Sequence, residues 1–364
     1  METEILQKLI SLDSQCLKSN REIIDYISDK LKHFEVKKFN FDKERGLSNL
    51  IVKIPGENSD NPIIFLGHVD TVQMSKDWTR DPFKATIENG KVYGLGASDM
   101  KAGLACIIWA ALNIKKMPKQ DIYLLFDADE EENGTGGRRM TKDFKVTGRM
   151  IIAEPSNHQI IYSNKGCFNA QIEIRGKEKH SAQANFDYCK KESAINKAVI
   201  ISNKLLDYSR EIEKNNDEKL GKATMNIGKI EGGTGENIVA GRCTIGICRR
   251  IIPGESIDHE YEKICKIVKE IDQTAQVNST FWVPSFQGNR NGNLSKDIIQ
   301  ASQEILPSIS FTTEPITTEA GLFPKCEVLV FGPGDYNLNH KPDEYVSVSD
   351  IRDFSRIYQK LMEG

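Results

Sequence analysis

Two histidines and several carboxylates stand at wide intervals along the sequence, each just after an apolar run or in a turn. They are His68 in Gly67-His68-Val69-Asp70, Asp99 in Ser98-Asp99-Met100, the acidic run 129–132, Glu154 before Pro155, and His340 in Asn339-His340-Lys341. Imidazole nitrogens and carboxylate oxygens are ligands for zinc-like ions. Two such ions need about four to eight protein ligands with one shared, and one Asp, two His and two Glu make a balanced set.

Each of these residues also has a more ordinary use when it is taken alone. Asp70 could accept the second ring N–H of His68, or it could cap backbone N–H groups in a turn. An Asp before a helix, such as Asp99, is commonly an N-cap. Four adjacent acids usually form a solvated loop, and a loop histidine such as His340 is usually solvated. All five candidates lie at the ends of predicted strands or in turns, where one edge of a sheet could bring them together, and this shared position favours a metal site.

The elements that would position these residues alternate between strands and helices. The predicted helices cover 2–33 and 101–116, and the predicted strands cover 50–54, 63–66, 122–126 and 150–153. This alternation is typical of an α/β sheet, in which ligands bind where the strands end.

The pattern changes to a β-α-β-β-α-β order between residues 166 and 284, which indicates a ferredoxin-like α+β domain. A strand at 328–331 and a final helix, with Ser347 and Asp350 spaced as a capping box, then resume the first pattern. The 364 residues suffice for two domains. The sequence therefore predicts a catalytic α/β domain made of 1–165 and 285–364, interrupted by an inserted domain at 166–284.

Composition excludes several classes of protein. The formal net charge of −3 gives no reason to expect nucleic acid or an anionic membrane as partner. Eight cysteines are scattered without a C-x-x-C pair, as expected for thiols in a reducing cytosol. No apolar stretch approaches the ~20 residues that span a bilayer. A soluble cytoplasmic protein is the expectation.

The motifs at 68–71, 99–103, 129–131 and 154–155 resemble, in the same order and over nearly the whole chain, those of the acetylornithine deacetylase / succinyl-diaminopimelate desuccinylase family of di-zinc amidohydrolases and metallopeptidases. The resemblance implies two divalent metal ions, zinc first, with cobalt or manganese also tolerated. It also implies that the inserted domain is a lid through which two copies of the chain form a homodimer.

The resemblance assigns each metal ligand. One metal would be bound by His68 and Glu154 and the other by Glu131 and His340, while Asp99 would bridge the two. The peptide bond that follows Asp99 is expected to be cis, as it is in this family.

Glu130 is implied as the general base and Asp70 as the residue that orients His68. The acidic run has one acid more than the family pattern, so its register stays open. Aligned on the preceding strand, Glu130 is the base and Glu131 the ligand; aligned on the following glycine, Glu131 is the base and Glu132 the ligand. The first alignment is preferred because the strand fixes where side chains emerge.

Three residues of the inserted domain are implied to contact substrate. His180 would reach the neighbouring subunit's site and stabilise the oxyanion, and Asn237 and Arg250 would hold the substrate carboxylate. Arg249 is adjacent, and which arginine points inward stays open. The segment 183–188 lacks the Pro and Gly-x-Asn run that the family usually shows, so the substrate preference also stays open.

The implied reaction is hydrolysis of the amide bond of an N-acyl amino acid. N-acetylornithine or a related N-acetyl amino acid is the first candidate, with a role in arginine biosynthesis. A dipeptidase, a carboxypeptidase or an N-succinyl-diaminopimelate desuccinylase would use the same site. A non-catalytic binding module would be expected to have lost a ligand or the base, and every position is filled here.

Overall fold

The computed structural model describes residues 2–306 and 308–364 and divides them into two compact units. The first unit contains the chain up to Ser163 together with Gln287–Thr313 and Thr318–Gly364. The second contains Asn164–Phe286 and Glu314–Thr317.

The helices of the described residues are, in chain order, α1 (Glu2–Ser11), α2 (Arg21–Lys30), α3 (Lys101–Leu112), α4 (Thr135–Asp143), α5 (Phe186–Glu192), α6 (Ala194–Ile212), α7 (Ile257–Ile271), α8 (Asn293–Ser302) and α9 (Val348–Glu363). Short 3₁₀ turns occupy Ser181–Gln183, Glu319–Leu322 and Tyr336–Leu338. None of the helices in the described ranges combines the length and the apolar character needed to cross a membrane.

The strands are, in chain order, β1 (Glu35–Asp42), β2 (Leu47–Ile54), β3 (Asn58–His68), β4 (Thr86–Glu88), β5 (Lys91–Tyr93), β6 (Gln120–Asp127), β7 (Arg149–Pro155), β8 (Ile160–Asn164), β9 (Gly166–Arg175), β10 (Asn216–Asp217), β11 (Gly221–Lys222), β12 (Thr224–Gly232), β13 (Arg242–Ile251), β14 (Gln276–Val283), β15 (Phe286–Gln287), β16 (Phe311–Glu314), β17 (Glu327–Gly332) and β18 (Tyr345–Ser347).

The first unit is built on a large mixed sheet with the order β1-β2-β6-β3-β7-β17-β8, completed by the short strands β15 and β16. Strand β3 runs parallel to β6 and β7, and β17 runs parallel to β7. All of β7 and the second half of β3 are buried, as expected for parallel strands covered on both faces. Their carboxyl ends therefore meet at one edge of the sheet.

Helices cover this sheet, and α3 is the most deeply buried of them. Its sequence is apolar all round, and ten of its twelve residues are buried. It ends at Leu112 rather than at the predicted 116, because the apolar run that buries it ends there. At the C-terminal helix, the Ser347 side chain accepts a hydrogen bond from the Asp350 N–H, so the predicted cap of α9 is confirmed.

The second unit has an antiparallel sheet with the order β12-β13-β9-β14. Apolar residues of α6 and α7 pack with those of β9 and β13 in one core, for example Ile201, Leu205, Ile264, Ile172 and Ile245. The succession β9-α6-β12-β13-α7-β14 is the predicted ferredoxin-like order. The predicted fold class, an α/β sheet domain with an inserted α+β domain, is confirmed.

Two helices of the second unit meet at Ser193. Helix α5 ends before this residue, and α6 begins after it. Ser193 has an extended backbone, and its hydroxyl accepts a hydrogen bond from the Asn196 N–H. A serine at this point caps a new helix rather than extending the previous one.

Candidate metal centre

The predicted ligands lie where the parallel strands end. His68 is the last residue of β3, and Glu154 is the penultimate residue of β7. The acidic run begins two residues after the last residue of β6, Asp127. Asp99 and His340 are carried by loops, one preceding α3 and the other following a 3₁₀ turn. All of these residues belong to the first unit.

The five side chains converge. His68 Nε2 lies 3.1 Å from Asp99 Oδ1 and 3.3 Å from Glu154 Oε1. His340 Nε2 lies 3.4 Å from Asp99 Oδ2 and 3.0 Å from Glu131 Oε2. The two oxygens of Asp99 thus face different histidines, and each histidine also contacts a different glutamate.

This arrangement fits divalent cations. Ligand atoms about 2.0–2.2 Å from a tetrahedral ion lie about 3.3–3.6 Å from one another, and the separations within each His–carboxylate group, 3.0–3.4 Å, are only slightly shorter. His68, Asp99 and Glu131 each offer a ligand atom within 4.8 Å of the others. Glu131 Oε1 is buried and accepts no hydrogen bond, so it has a lone pair to offer to an ion.

The electrostatics of the cluster also suit a cation. Burial would raise the pKa of Asp99, but hydrogen bonds from His340 and His68 outweigh it and hold that pKa below its ordinary value. Asp99 and Glu131 raise the pKa of His340 to about 11. Burial, and then the charge of Asp99, raise the pKa of Glu154 to about 7. Carboxylates this close together repel one another, so binding of protons or of metal ions stabilises them. Protons and metal ions compete for the same lone pairs.

The glutamates of the acidic run differ in their surroundings. Glu131 contributes an oxygen to the cluster, whereas Glu132 is exposed to solvent. Burial, and the charges of Glu131, Glu154 and Asp70, raise the pKa of Glu130 well above its ordinary value. This geometry corresponds to the alignment in which Glu131 is the ligand and Glu130 its neighbour beside the cluster.

Asp70 is placed differently from the sequence expectation. His68 Nδ1 lies 2.9 Å from the backbone carbonyl oxygen of Asp70, while the nearest carboxylate oxygen lies 3.8 Å away. The Asp70 carboxylate instead accepts hydrogen bonds from the backbone N–H groups of Glu130 and Glu131, at 3.2 and 3.1 Å. It therefore caps the acidic loop, which was the alternative use of this residue.

The loop that carries Asp99 is fixed by a residue that the sequence analysis did not single out for a role. The buried carboxylate of Glu344 accepts hydrogen bonds from the backbone N–H groups of Gly96, Ser98 and Asp99, at 3.0, 2.6 and 2.8 Å. The bond between Asp99 and Met100 is cis, as expected, and the Asp99 side chain does not cap α3. An acid four residues after His340 was the only available signal for Glu344.

A second pair of acids, Asp127 and Glu319, is fully buried in the first unit. Burial, and then the charge of Asp127, raise the pKa of Glu319 well above its ordinary value. Glu319 lies in the segment Thr318-Glu319-Ala320, and its carboxylate packs against the backbone of Gly137, where a Cβ atom would lie only 1.9 Å from Glu319 Oε1. Sequence reasoning assigned no role to either acid.

The remaining predicted site residues lie in the second unit. His180 and Asn237 are on neighbouring segments: His180 forms a β-bridge with Ile238, and the Ser181 N–H donates to the Asn237 carbonyl at 2.8 Å. Both side chains are exposed. The five predicted ligands, by contrast, are all in the first unit.

The two adjacent arginines of β13 point to opposite faces of their sheet. Arg249 is fully buried, and it donates to Glu260 Oε2 at 2.9 Å and to Glu255 Oε1 at 2.7 Å. Arg250 is half-buried, and its guanidinium donates to Thr317 Oγ1 at 2.9 Å. Arg249 is therefore held inside the second unit by acids, while Arg250 lies on the face away from that core.

A protein-family model and a curated relative both match this chain over most of its length. The sequence model of Peptidase family M20/M25/M40 matches residues 64–364. The acetylornithine deacetylase of Myxococcus xanthus is 29% identical over 361 residues, which cover 95% of this chain and 92% of the relative.

Solved structures share the fold at lower identity. The M20 family metallo-carboxypeptidase Sso-CP2 from Sulfolobus solfataricus superposes with a TM-score of 0.76 at 17% identity, covering 100% of this chain and 98% of the other. YXEP of Bacillus subtilis, described as a dinuclear metal-binding peptidase from the M20 family, gives a TM-score of 0.67 at 14% identity and covers 99% and 96% of the two chains.

Proposed function

The chain belongs to Peptidase family M20/M25/M40, and we propose that it hydrolyses the amide bond of an N-acyl amino acid, with N-acetylornithine or a related N-acetyl amino acid as the first candidate. The similarity to an acetylornithine deacetylase over 95% of the chain supports this choice of substrate. Release of acetate and a free amino acid would suit a step of amino-acid biosynthesis, such as that of arginine.

The observation that carries the proposal is the arrangement around Asp99, whose two carboxylate oxygens face His68 and His340 separately. We assign His68 and Glu154 to one ion, Glu131 and His340 to the other, and Asp99 to both. Zinc is the first candidate, with cobalt and manganese as alternatives. Bound ions would supply Lewis acidity, which activates water and polarises the scissile carbonyl.

Glu130 is assigned as the general base and then the general acid. Its raised pKa suits a carboxylate that takes a proton from the attacking water and returns it to the leaving amine. Asp70 holds the backbone of Glu130 and Glu131 in place, so it positions the base and a metal ligand together.

We assign substrate contacts to three residues of the second unit, in keeping with the family resemblance. His180 would stabilise the oxyanion in the neighbouring subunit, and its exposed side chain is compatible with such a contact. Asn237 and Arg250 would hold the substrate carboxylate. Arg250 is preferred to Arg249 because Arg249 already donates to Glu255 and Glu260.

The site would then need a second copy of the chain, and the second unit has a surface suited to one. Ile195, Val199 and Leu206 of α6 are 38%, 54% and 49% exposed, and Ile230 of the edge strand β12 is 55% exposed. An apolar stripe beside an open strand edge is typical of an interface between copies. We therefore propose a homodimer.

We also propose a cytoplasmic location, because all eight cysteines are thiols.

The decisive experiment is a substrate panel measured with and without a chelator. N-acetyl and N-succinyl amino acids and dipeptides would be compared by their kcat/KM values. We expect N-acetylornithine or a close relative to be cleaved fastest, activity to be lost with the metal, and zinc to restore it. Preference for dipeptides would instead favour the peptidase chemistry of the structural relatives. Hydrolysis that persists after complete removal of metal would refute the proposal.

A further inference from the structure

Two cysteines of the second unit lie side by side on neighbouring strands. Cys167 of β9 and Cys248 of β13 have their sulfur atoms 3.8 Å apart. The strands are antiparallel, with Cys167 opposite Arg250 and Cys248 opposite Asn169. The two cysteines are therefore diagonal neighbours. The short distance between their sulfur atoms agrees with both side chains lying on one face of the sheet.

This face of the sheet is the one opposite the helices. The flanking residues Phe168 of β9 and Ile247 of β13 point into the core with α6 and α7, so Cys167 and Cys248 point the other way. Cys167 is buried, whereas Cys248 is half-buried. A small reagent therefore has access to Cys248, while Cys167 is positioned to react second.

The surroundings activate Cys248. Its hydrogen bond with Cys167, and the positive charge of Arg250, lower the pKa of Cys248 to about 6 against the opposing effect of burial. At neutral pH much of this side chain is then a thiolate, the form that reacts with oxidants. Asn169 Oδ1, 3.3 Å from Cys167 Sγ, can accept a hydrogen bond from the thiol of Cys167.

We propose that Cys167 and Cys248 form a site of reversible oxidation, at which hydrogen peroxide converts the two thiols into a disulfide that links β9 to β13. The Cys248 thiolate attacks one peroxide oxygen; the S–O bond forms, the O–O bond breaks, and the departing hydroxide takes up a proton to become water. The sulfur of Cys167 then attacks the Cys248 sulfur, the S–O bond breaks, and the second hydroxide leaves with the Cys167 proton as water. Two thiols lose two electrons in total, and one peroxide becomes two waters.

The disulfide is expected to act on Arg250. The sulfur atoms must close from 3.8 Å to about 2.05 Å, and Arg250 is directly opposite one cysteine and two residues from the other. Formation of the disulfide therefore alters the backbone of β13 next to Arg250. It also removes the negative charge of the Cys248 thiolate beside the guanidinium. This consequence rests on the proposed function, in which Arg250 holds the substrate carboxylate. Weakening one charge-assisted hydrogen bond would raise KM about tenfold with little change in kcat.

The test is to treat the full-length, metal-loaded protein with hydrogen peroxide and to titrate its thiols after denaturation. We expect the count to fall by two from eight, peptide mapping to find Cys167 joined to Cys248, and dithiothreitol to restore both thiols. A count that stays at eight, or loss confined to other cysteines, would overturn the proposal. This readout does not depend on any substrate being hydrolysed, so it stands apart from the proposed function.

Matched variants complete the experiment. Cys248→Ser should retain all of its thiols under the same treatment, and Cys167→Ser should stop at a sulfenic acid on Cys248 that a dimedone probe traps. Cys189→Ser, in α5 of the same unit, should still form the disulfide. If the disulfide forms but the KM of the oxidised enzyme equals that of the reduced enzyme, the effect on Arg250 is refuted, even though hydrolysis itself proceeds.

Discussion

His68 Nδ1 is 2.9 Å from the backbone carbonyl oxygen of Asp70, so the main chain orients the ring, and the Asp70 carboxylate is left to bind the acidic loop. A backbone acceptor fixes the ring orientation whatever side chain the residue carries. In the proposed reaction, the carboxylate of Asp70 would therefore act through the backbone of Glu130 and Glu131 rather than through His68.

Replacing this carboxylate should impair turnover more than metal binding. In Asp70→Asn one acceptor oxygen remains, so one of the two N–H groups of the acidic loop loses its partner. A charge-assisted hydrogen bond contributes about 1.5–3 kcal/mol, which predicts a fall in kcat of about 10- to 100-fold with metal content retained. Elemental analysis and kcat per metal would check this. Loss of metal at unchanged kcat per metal would show that Asp70 acts through His68 after all.

The register of the acidic run can be tested by three matched substitutions. Glu130→Gln removes a general base and should lower kcat by about 10²–10⁴-fold while metal stays bound. Glu131→Gln weakens a ligand and should lower the affinity for metal. Glu132→Gln is the control, because this side chain is exposed, and it should change neither quantity. Loss of metal from the Glu132 variant instead would establish the other alignment.

Substitutions of the two adjacent arginines of β13 should affect different properties, stability in one case and substrate binding in the other. Arg249→Met leaves the carboxylates of Glu255 and Glu260 without their buried partner, so the free energy of unfolding should fall by about 3–5 kcal/mol. Arg250→Met should leave stability nearly unchanged and raise KM. Urea denaturation and steady-state kinetics on both variants would show this. An unchanged KM in the Arg250 variant would count against its role in carboxylate binding.

The apolar stripe on α6 should hold the dimer together. Leu206→Glu places a charge on it and should shift the protein towards monomer in light scattering. Lys204→Glu, on the same helix but outside the apolar set, serves as the control and should remain dimeric. If His180 completes the site of the other subunit, the Leu206 monomer should also lose kcat. A wild-type protein that is already monomeric at assay concentration would contradict the proposed homodimer.

His158, which the sequence left without a role, should make stability pH-dependent. Its Nε2 lies 3.1 Å from Asp350 Oδ1, and this hydrogen bond raises the pKa of His158 above the ordinary value of 6.5. For a raised pKa, the stabilisation is fully present below 6.5 and is lost as pH rises through the folded-state pKa. The lowered pKa of Asp350 preserves the pair down to acid pH.

His158→Gln should therefore lower the free energy of unfolding by up to about 1 kcal/mol below pH 6.5 and by less in alkaline solution, since the pair is partly exposed. Urea denaturation of both proteins at several pH values would measure the difference. A difference that grows with increasing pH would contradict the assignment.

Much of the candidate metal centre could be predicted because it depends on local order along the chain. His68, the acidic run and Glu154 each follow an apolar segment that is long enough for a strand and too short for a helix. Parallel strands bring their carboxyl ends to one edge, so the spacing of these motifs indicated that the side chains would meet. The loop residues Asp99 and His340 were candidates by residue type, but only the family resemblance assigned them as ligands, because nothing local distinguishes a ligand from a cap or a solvated histidine.

The sequence by itself determined which residue types were available, the alternation of strands and helices, and the interruption by a ferredoxin-like domain, because hydrophobic periodicity is a local property. Tertiary structure alone decided that the carbonyl of Asp70 orients His68, that Glu344 holds the loop of Asp99, and that Arg249 is buried while Arg250 is not. These contacts depend on which groups from distant segments of the chain are buried against one another. That is a property of packing in three dimensions, and no spacing along the chain encodes it.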